Sequence, residues 1–406
     1  MKSFFTLCNI LLVPVPGLIS LVVAVSSLAL AVNGESLTTL EQREAFQRDG
    51  FVIVSGLLDG PEMDDLVKAG DMIMQGTDPS KHNPFFDSLQ KWVALNGPTG
   101  LSLKDDDLSA VVQSFRNVAL YSKLPQFAAE LMGLTSTDSS SNNSQNGQDN
   151  TNLRLLRDVF LAKGLESPKS CQWHVDNPSF WPESYQSTGG EGINAWIAMA
   201  DMPRGGSMGL LPGSHRAHWR HRAYRAIGQD HDSQGETFEE QVEELANGIF
   251  TCAIDVRDEE LYQIMEHSGV YPTMKRGDII FHTRMLFHET LKLPDDAKEY
   301  YSQREQFTLD RYSVRYVPGK ATLPTGFVDE LSVHFNPNNA GQVLDDIVAN
   351  DRPWYPQVWP TIEDGFEEAF EEMKETVLPK ANEEAEAAKT ILSKRLEAMK
   401  AVAEAQ

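Results

Sequence analysis

The sequence has few cysteines and little positive charge for its length. Its 406 residues include only three cysteines, Cys8, Cys171 and Cys252, and no C-x-x-C pair. A disulfide framework and a zinc ribbon are therefore excluded as sources of stability. Lys and Arg number 35 against 59 Asp and Glu, which gives a formal net charge of −24. A surface of this sign repels phosphate backbones, so nucleic acid is not expected to be a partner.

The N-terminus lacks charge almost entirely. After Lys2 the next charged residue is Glu35, and the intervening apolar run is interrupted by Pro and Gly. Its uninterrupted part is shorter than the about 20 residues that a membrane span needs. Ala29-Leu30-Ala31 matches an A-x-A cleavage site. We interpret residues 1–32 as a cleaved signal peptide that directs the protein into the secretory pathway, lumenal or secreted. A membrane anchor formed by residues 4–32 is the alternative.

The remaining chain is predicted to form one domain and an acidic tail. Short β-type runs separated by Gly and Pro turns extend from residue 154 to residue 318, which is typical of a sandwich or barrel. We expect a mainly β domain with flanking helices over residues 36–330. The polar tract 135–152 is predicted to be a disordered loop within it. Residues 345–406 are predicted to be an acidic helical extension, with two amphipathic helices beyond Ile362.

A candidate metal site begins at the sequence QWHVD. In a strand, residues i and i+2 point to the same side, so His174 and Asp176 can present an imidazole and a carboxylate to one point. A third ligand is available at His282 or His288, which are six residues apart. Two histidines and one carboxylate on one face of an octahedral Fe(II) leave three positions open, enough for a 2-oxo acid and dioxygen. The spacing alone leaves both histidines open as candidates.

Five segments resemble the phytanoyl-CoA dioxygenase family, in the family's order. The first, LTTLEQREAFQRDGFVIVSGLLDGPEMDDL, resembles its N-terminal helix, strand and helix. The others resemble its core motifs and read WHVDNPSF, GINAWIAMADMPRGGSMGLLPGSHR, GDIIFHTRMLFHET and RYSVRYVPG. The likeness covers most of Leu37 to Gly319. It implies an iron(II)- and 2-oxoglutarate-dependent enzyme on a double-stranded β-helix core, which is a jelly roll of cupin-like type.

The resemblance also implies the roles of individual residues. It selects His174, Asp176 and His288 as the metal ligands and leaves His282 as a core or supporting histidine. An arginine must hold the distal carboxylate of 2-oxoglutarate, and Arg311 stands in the family's pattern. The gap from His288 to Arg311 is longer than the family usually shows. Two further arginines are therefore alternatives: Arg315, which shares the strand face, and the more distant Arg304. The family's other co-substrate positions correspond to Thr290, Trp196 and Lys163.

The implied reaction is hydroxylation of a small organic or acyl substrate, with succinate and carbon dioxide formed from 2-oxoglutarate and dioxygen. Asp176 favours hydroxylation over halogenation, because a halide takes the carboxylate's place in related halogenases. A catalytically silent metal-binding or sensor protein on the same jelly roll is the alternative. The basic run at residues 215–225 can steer an anionic substrate. Its pairing with the acidic segment 236–244 or with the C-terminal helices is the favoured interpretation.

Overall fold

The fold is taken from a computed structural model. The structure describes residues 36–75, 101–106, 108–134, 152–164, 171–175, 192–216, 258–290, 295–296, 299, 308–321, 343–346 and 355–360. The predicted leader, nearly all of the polar tract 135–152 and the predicted C-terminal helices lie outside these residues. No helix in the described ranges is long and apolar enough to cross a membrane.

The described helices mostly precede the long strands in the chain. They are α1 (Leu40–Asp49), α2 (Gly60–Gln75), α3 (Leu108–Val111), α4 (Gln113–Arg116), a π-helix (Asn117–Tyr121), α5 (Leu124–Leu131) and α6 (Glu259–Ser268). Helix α1 begins at a capping box, in which the side chains of Thr39 and Gln42 each accept a hydrogen bond from the other's backbone N–H. It ends at Gly50, whose φ of 83° lies in the left-handed region.

The strands form two antiparallel sheets. They are β1 (Phe51–Val54), β2 (Leu101–Asp106), β3 (Leu153–Gly164), β4 (Cys171–His174), β5 (Ile193–Ala198), β6 (Gly209–Leu210), β7 (Ile279–Thr283), β8 (His288–Thr290), β9 (Thr308–Pro318) and β10 (Gln357–Trp359). The larger sheet has the order β1-β7-β5-β9-β3-β10, with β2 also paired to β3, and the smaller sheet has the order β4-β8-β6. The predicted fold class is confirmed: a mainly β chain with flanking helices and a double-stranded β-helix core.

The two faces of the larger sheet have different neighbours. One face packs against the N-terminal helices, where Phe127 of α5 stacks on Phe281 of β7 with ring centroids 4.9 Å apart. On the other face, Trp196 and Ile280 share a buried cluster with Leu210 of the smaller sheet. Along each strand, consecutive side chains point alternately to one face of the sheet and to the other. The space between the two sheets is therefore where inward-pointing polar side chains can meet.

The outer face of the smaller sheet packs against helix α6. Trp173 of β4 and Phe287, which precedes β8, form a buried cluster with Leu261 and Met265 of the helix. Neither Trp173 nor Phe287 has measurable solvent exposure. The smaller sheet is thus covered on both sides, by the larger sheet and by α6.

Strand β10 lies within the range predicted to be an acidic helical extension. It pairs with the start of β3, and this end of the sheet is held by Arg154. The Arg154 side chain donates to Asp345 Oδ1 at 2.6 Å and to the Tyr355 carbonyl at 2.9 Å. Residues 343–346 and 355–360 are therefore part of the β domain, which continues past the predicted end at residue 330. A strand of three residues is too short to show a periodic pattern in the sequence.

Candidate metal and co-substrate site

His174 and His288 face each other across the smaller sheet. They are paired in register on β4 and β8, and their ring centroids lie 4.3 Å apart. The register shifts between the pairs Cys171↔Thr290 and His174↔His288, so β4 carries one residue more than β8 over this interval. A bulge of this kind changes which side chains share a face. Without it, Trp173 would lie opposite His288, and His174 would point away from the space between the sheets.

The third predicted metal ligand, Asp176, lies outside the described residues. In the described part of the chain, no group of three or more His, Cys, Asp or Glu side chains could hold a metal ion. The structure therefore brings two of the three predicted ligands together, and the assignment of Asp176 stays a prediction.

The His288 ring is oriented by the backbone two residues before it. Its Nδ1 lies 3.0 Å from the Leu286 carbonyl oxygen. A carbonyl can only accept, so in the neutral ring Nδ1 carries the proton and Nε2 carries the lone pair. This is the form in which an imidazole binds a metal, with the second nitrogen held by a backbone acceptor.

His282 has both ring nitrogens engaged by protein atoms. Nδ1 lies 2.9 Å from the Thr283 carbonyl and therefore donates to it, while Nε2 lies 2.9 Å from Nδ2 of Asn194. The Asn194 amide oxygen in turn accepts from the Ser313 hydroxyl at 2.7 Å. The His282 ring lies 5.2 Å from that of His288. The hydrogen bonds favour His288 as the metal ligand and make His282 a buried neighbour, as the family resemblance implied.

Asn194 and Ser313 were missed by sequence reasoning. Both are buried, at 3% and 1% exposure, on strands that also carry predicted site residues. The signal was present at Asn194, which is a polar residue inside the otherwise apolar strand INAWIA, two positions before Trp196. A buried amide in such a strand needs a partner, and that partner is the His282 ring.

Arg311 places a cation between the sheets. It is 4% exposed, and its guanidinium carbon lies 5.8 Å from the centroid of the Trp196 ring. Its Nε has no hydrogen-bond partner among the described residues. Burial lowers the pKa of Arg311 to about 10, although the charge of Asp310 acts in the opposite direction. The side chain stays protonated at neutral pH, and a buried cation of this kind suits an anionic ligand. Arg315, the alternative, lies four residues along the same strand and is only partly buried.

The remaining predicted co-substrate residues are placed less fully. Thr290 is the last residue of β8, two positions after His288 and on the same face, and it is partly buried. Only the backbone of Lys163 is described, at a position on β3 opposite Leu309. Arg304 lies outside the described residues. The donor set fits iron and 2-oxoglutarate: two imidazoles on one side of the space and one buried guanidinium on the larger sheet.

The start of the basic run makes contacts that the sequence did not predict. His215 Nε2 lies 3.2 Å from the Gln47 carbonyl, and Arg216 donates to the Arg48 carbonyl at 3.1 Å. Both carbonyls belong to the last turn of α1, whose C-terminal end attracts cations. These two side chains therefore cap the C-terminal end of α1. Residues 217–225 lie outside the described residues, so the predicted acidic pairing stays a prediction.

The sequence model of the family described as phytanoyl-CoA dioxygenase (PhyH) matches residues 46–292, which is more than half of the chain. This chain belongs to the phytanoyl-CoA dioxygenase family. The predicted resemblance is thereby confirmed, and with it the oxygenase class that uses iron(II) and 2-oxoglutarate. No curated protein matches the sequence.

This member of the phytanoyl-CoA dioxygenase family is similar to several solved structures, including SnoK, EctD and HygX. The α-ketoglutarate-dependent carbocyclase SnoK from nogalamycin biosynthesis shares 18% identity over 79% of this chain and 97% of its own, with a TM-score of 0.46. EctD from S. alaskensis, solved with 2-oxoglutarate and 5-hydroxyectoine, shares 17% identity over 71% and 79%, with a TM-score of 0.42. HygX from Streptomyces hygroscopicus, solved with nickel and 2-oxoglutarate, shares 15% identity over 69% and 87%, with a TM-score of 0.37. Family membership rests on the sequence match.

Proposed function

We propose that this protein is an iron(II)- and 2-oxoglutarate-dependent dioxygenase that hydroxylates a small organic or acyl substrate, with succinate and carbon dioxide as co-products. The observation that carries the proposal is the pairing of His174 and His288 across β4 and β8, with their rings 4.3 Å apart. Family membership supports the cofactors.

The metal would be held by His174, His288 and Asp176. The hydrogen bond from His288 Nδ1 to the Leu286 carbonyl fixes the ring so that Nε2 presents its lone pair. Iron bound in this way would supply the oxidising chemistry: 2-oxoglutarate takes up one oxygen atom of dioxygen, loses carbon dioxide and becomes succinate, and the other oxygen atom enters a C–H bond of the substrate.

Arg311 would bind the distal carboxylate of 2-oxoglutarate. A guanidinium can donate two parallel hydrogen bonds to a carboxylate. The attraction between the two groups is stronger when both are removed from water. The guanidinium lies over the Trp196 ring, which restricts its position. Thr290 and Lys163 are proposed as further contacts to the same molecule.

The apolar residues between the sheets would exclude water from the reaction. Met202, Leu210 and Ile280 are at most 2% exposed and belong to the same cluster as Trp196. A dry interior strengthens the interaction of Arg311 with a carboxylate and limits side reactions.

We also propose that the protein enters the secretory pathway through residues 1–32. Its substrate is proposed to be a small anionic molecule, which the basic run 215–225 would attract. The support for secretory entry is the uncharged leader with its A-x-A site. Mass spectrometry of the expressed protein tests the cleavage: a mature N-terminus near residue 33 is expected, and an intact leader contradicts cleavage and indicates an anchor.

The decisive experiment measures succinate from the purified protein, residues 33–406, supplied with Fe(II), 2-oxoglutarate and oxygen. A panel of acyl and organic acid substrates should include one that raises succinate formation. His174→Ala and His288→Ala are expected to lose the activity at least a hundredfold, because each removes a metal ligand. The matched control is His267→Ala, which replaces an exposed histidine on α6. Succinate formation that is unchanged in His174→Ala, or absent from the wild type with every substrate, would refute the proposal.

A further inference from the structure

Tyr271 contacts the residues directly behind both metal-binding histidines. Its hydroxyl donates to Glu289 Oε1 at 2.8 Å, and Glu289 follows His288 on β8. Its ring lies 6.2 Å from that of Trp173, which precedes His174 on β4. Adjacent residues of a strand point to opposite faces, so Tyr271 lies on the outer face of the smaller sheet while the histidines face inward. One side chain therefore supports both histidine strands from outside.

Two glycines leave the space that this arrangement needs. A Cβ at Gly209 would lie 2.7 Å from Cε1 of Tyr271 and 2.9 Å from Cγ of Glu289. A Cβ at Gly269 would lie 2.7 Å from Cζ2 of Trp173 and 3.0 Å from the Tyr271 oxygen. Distances under 3.0 Å are not tolerated by real Cβ atoms. Because Gly209 and Gly269 carry no Cβ, the Tyr271 side chain packs closely beside β6, beside Glu289 of β8 and near Trp173 of β4.

The Tyr271 hydroxyl keeps its proton and can therefore donate a hydrogen bond. Burial, reinforced by the charges of Glu289 and Glu266, raises the pKa of Tyr271 far above its usual range. Glu266 of α6 lies 3.4 Å from the hydroxyl, further than Glu289, so the single proton is donated to Glu289. The guanidinium of Arg204 lies over the Tyr271 ring at 5.2 Å from its centroid. These contacts fix the ring.

The smaller sheet needs such support because its own pairing is short. Within the described residues it has three strands, of which β8 has three residues and β6 has two. The bulge in β4 removes part of the ladder between β4 and β8. Few backbone hydrogen bonds therefore determine the distance between His174 and His288.

We propose that Tyr271 is a positioning residue for the iron site. Through the hydrogen bond to Glu289 and the contact with Trp173, it holds β8 against β4 so that the two imidazoles are spaced for one metal ion. The proposal rests on the proposed function, since it takes His174 and His288 as ligands.

The test compares Tyr271→Phe with Tyr316→Phe in the purified protein. Each change removes one hydroxyl that donates a hydrogen bond within the protein. The Tyr271 hydroxyl is partly buried, and the Tyr316 hydroxyl donates to the Ala119 carbonyl at 2.7 Å on the helix-covered face of the larger sheet. Co(II) affinity and the Co(II) d–d absorption spectrum are measured without oxygen, so that no turnover is needed. Loss of support for metal ligands typically costs 10- to 100-fold in affinity. We expect about tenfold weaker Co(II) binding and an altered spectrum for Tyr271→Phe, and less than a twofold change for Tyr316→Phe.

Two further variants separate the possible failures. Glu289→Gln keeps an oxygen that accepts from Tyr271 and should bind Co(II) within about threefold of the wild type. A loss as large as that of Tyr271→Phe would overturn the proposal, because the charge of Glu289 would then matter instead of the hydroxyl contact. His174→Ala identifies failure of the site itself: Co(II) binding equal to the wild type refutes the metal assignment. If His174→Ala loses Co(II) but Tyr271→Phe binds within twofold of the wild type, the site stands and the positioning role is refuted.

Discussion

Replacing Arg311 by Met is predicted to weaken co-substrate binding strongly while leaving the protein at least as stable as the wild type. Arg311 is a cation at 4% exposure, and burial lowers its pKa to about 10, well below the ordinary value of an arginine. One pKa unit corresponds to about 1.4 kcal/mol, so keeping this charge in the folded protein costs about 3 kcal/mol. A base with a lowered folded pKa carries this cost at every pH below about 10 and loses it as the pH rises above that value. The free energy of unfolding measured at pH 7.5 therefore includes the full cost of burying the charge.

Methionine has a similar length, no charge and an adaptable shape. Its introduction removes the cost of burying the cation but also the contact with the Trp196 ring, which is worth about 1 kcal/mol. We expect the ligand-free variant to be up to about 2 kcal/mol more stable than the wild type. For a domain of roughly 300 residues this raises the Tm by about 1–3 °C. Loss of two charge-assisted hydrogen bonds to a carboxylate, about 3 kcal/mol or more, should weaken 2-oxoglutarate binding at least ~100-fold.

The assay is thermal unfolding under nitrogen with Fe(II), with and without 2-oxoglutarate. Ligand binding raises the Tm of the wild type by mass action, and Arg311→Met should show no such rise. Arg315→Met is the matched control, since Arg315 lies on the same strand and is the alternative co-substrate residue. The reasoning is refuted if Arg311→Met keeps the 2-oxoglutarate-dependent rise while Arg315→Met loses it, or if ligand-free Arg311→Met unfolds several degrees below the wild type.

Three further changes test other parts of the structure. Trp196→Leu removes the ring beside Arg311 and should raise KM for 2-oxoglutarate about two- to fivefold with a smaller change in kcat; an unchanged KM contradicts the contact. Asn194→Leu leaves His282 Nε2 without its donor and should lower the free energy of unfolding by about 1–3 kcal/mol in urea, whereas no loss argues against the bond. Truncation after residue 330 removes β10 and should lower the Tm by more than 5 °C; an equal Tm would place the domain end at 330.

Local features of the fold were readable in the sequence because neighbouring residues determine them. The capping box of Thr39 and Gln42 spans only three residues, and Gly50 ends the helix in the left-handed conformation that favours glycine. The strand that follows, β1, consists of apolar and β-branched residues. Features of this kind do not depend on distant contacts.

The candidate site was readable only in part. The spacing left His282 and His288 open, and the family resemblance chose between them. The structure supplies a physical reason, since the two ring nitrogens of His282 face the Thr283 carbonyl and the Asn194 amide. The β4 bulge that turns His174 towards His288 has no sequence signal of its own, because it depends on the register of two strands that are more than a hundred residues apart.

Taken alone, the sequence determined the mainly β class, the likeness to the phytanoyl-CoA dioxygenase family and the candidate ligand and co-substrate residues, since these follow from residue type, periodicity and motif order. Tertiary structure alone decided that Arg311 is a buried cation beside Trp196, that residues 357–359 complete the larger sheet and that Tyr271 contacts both histidine strands. Burial and strand register arise from contacts between distant parts of the chain, and a linear pattern does not contain those distances.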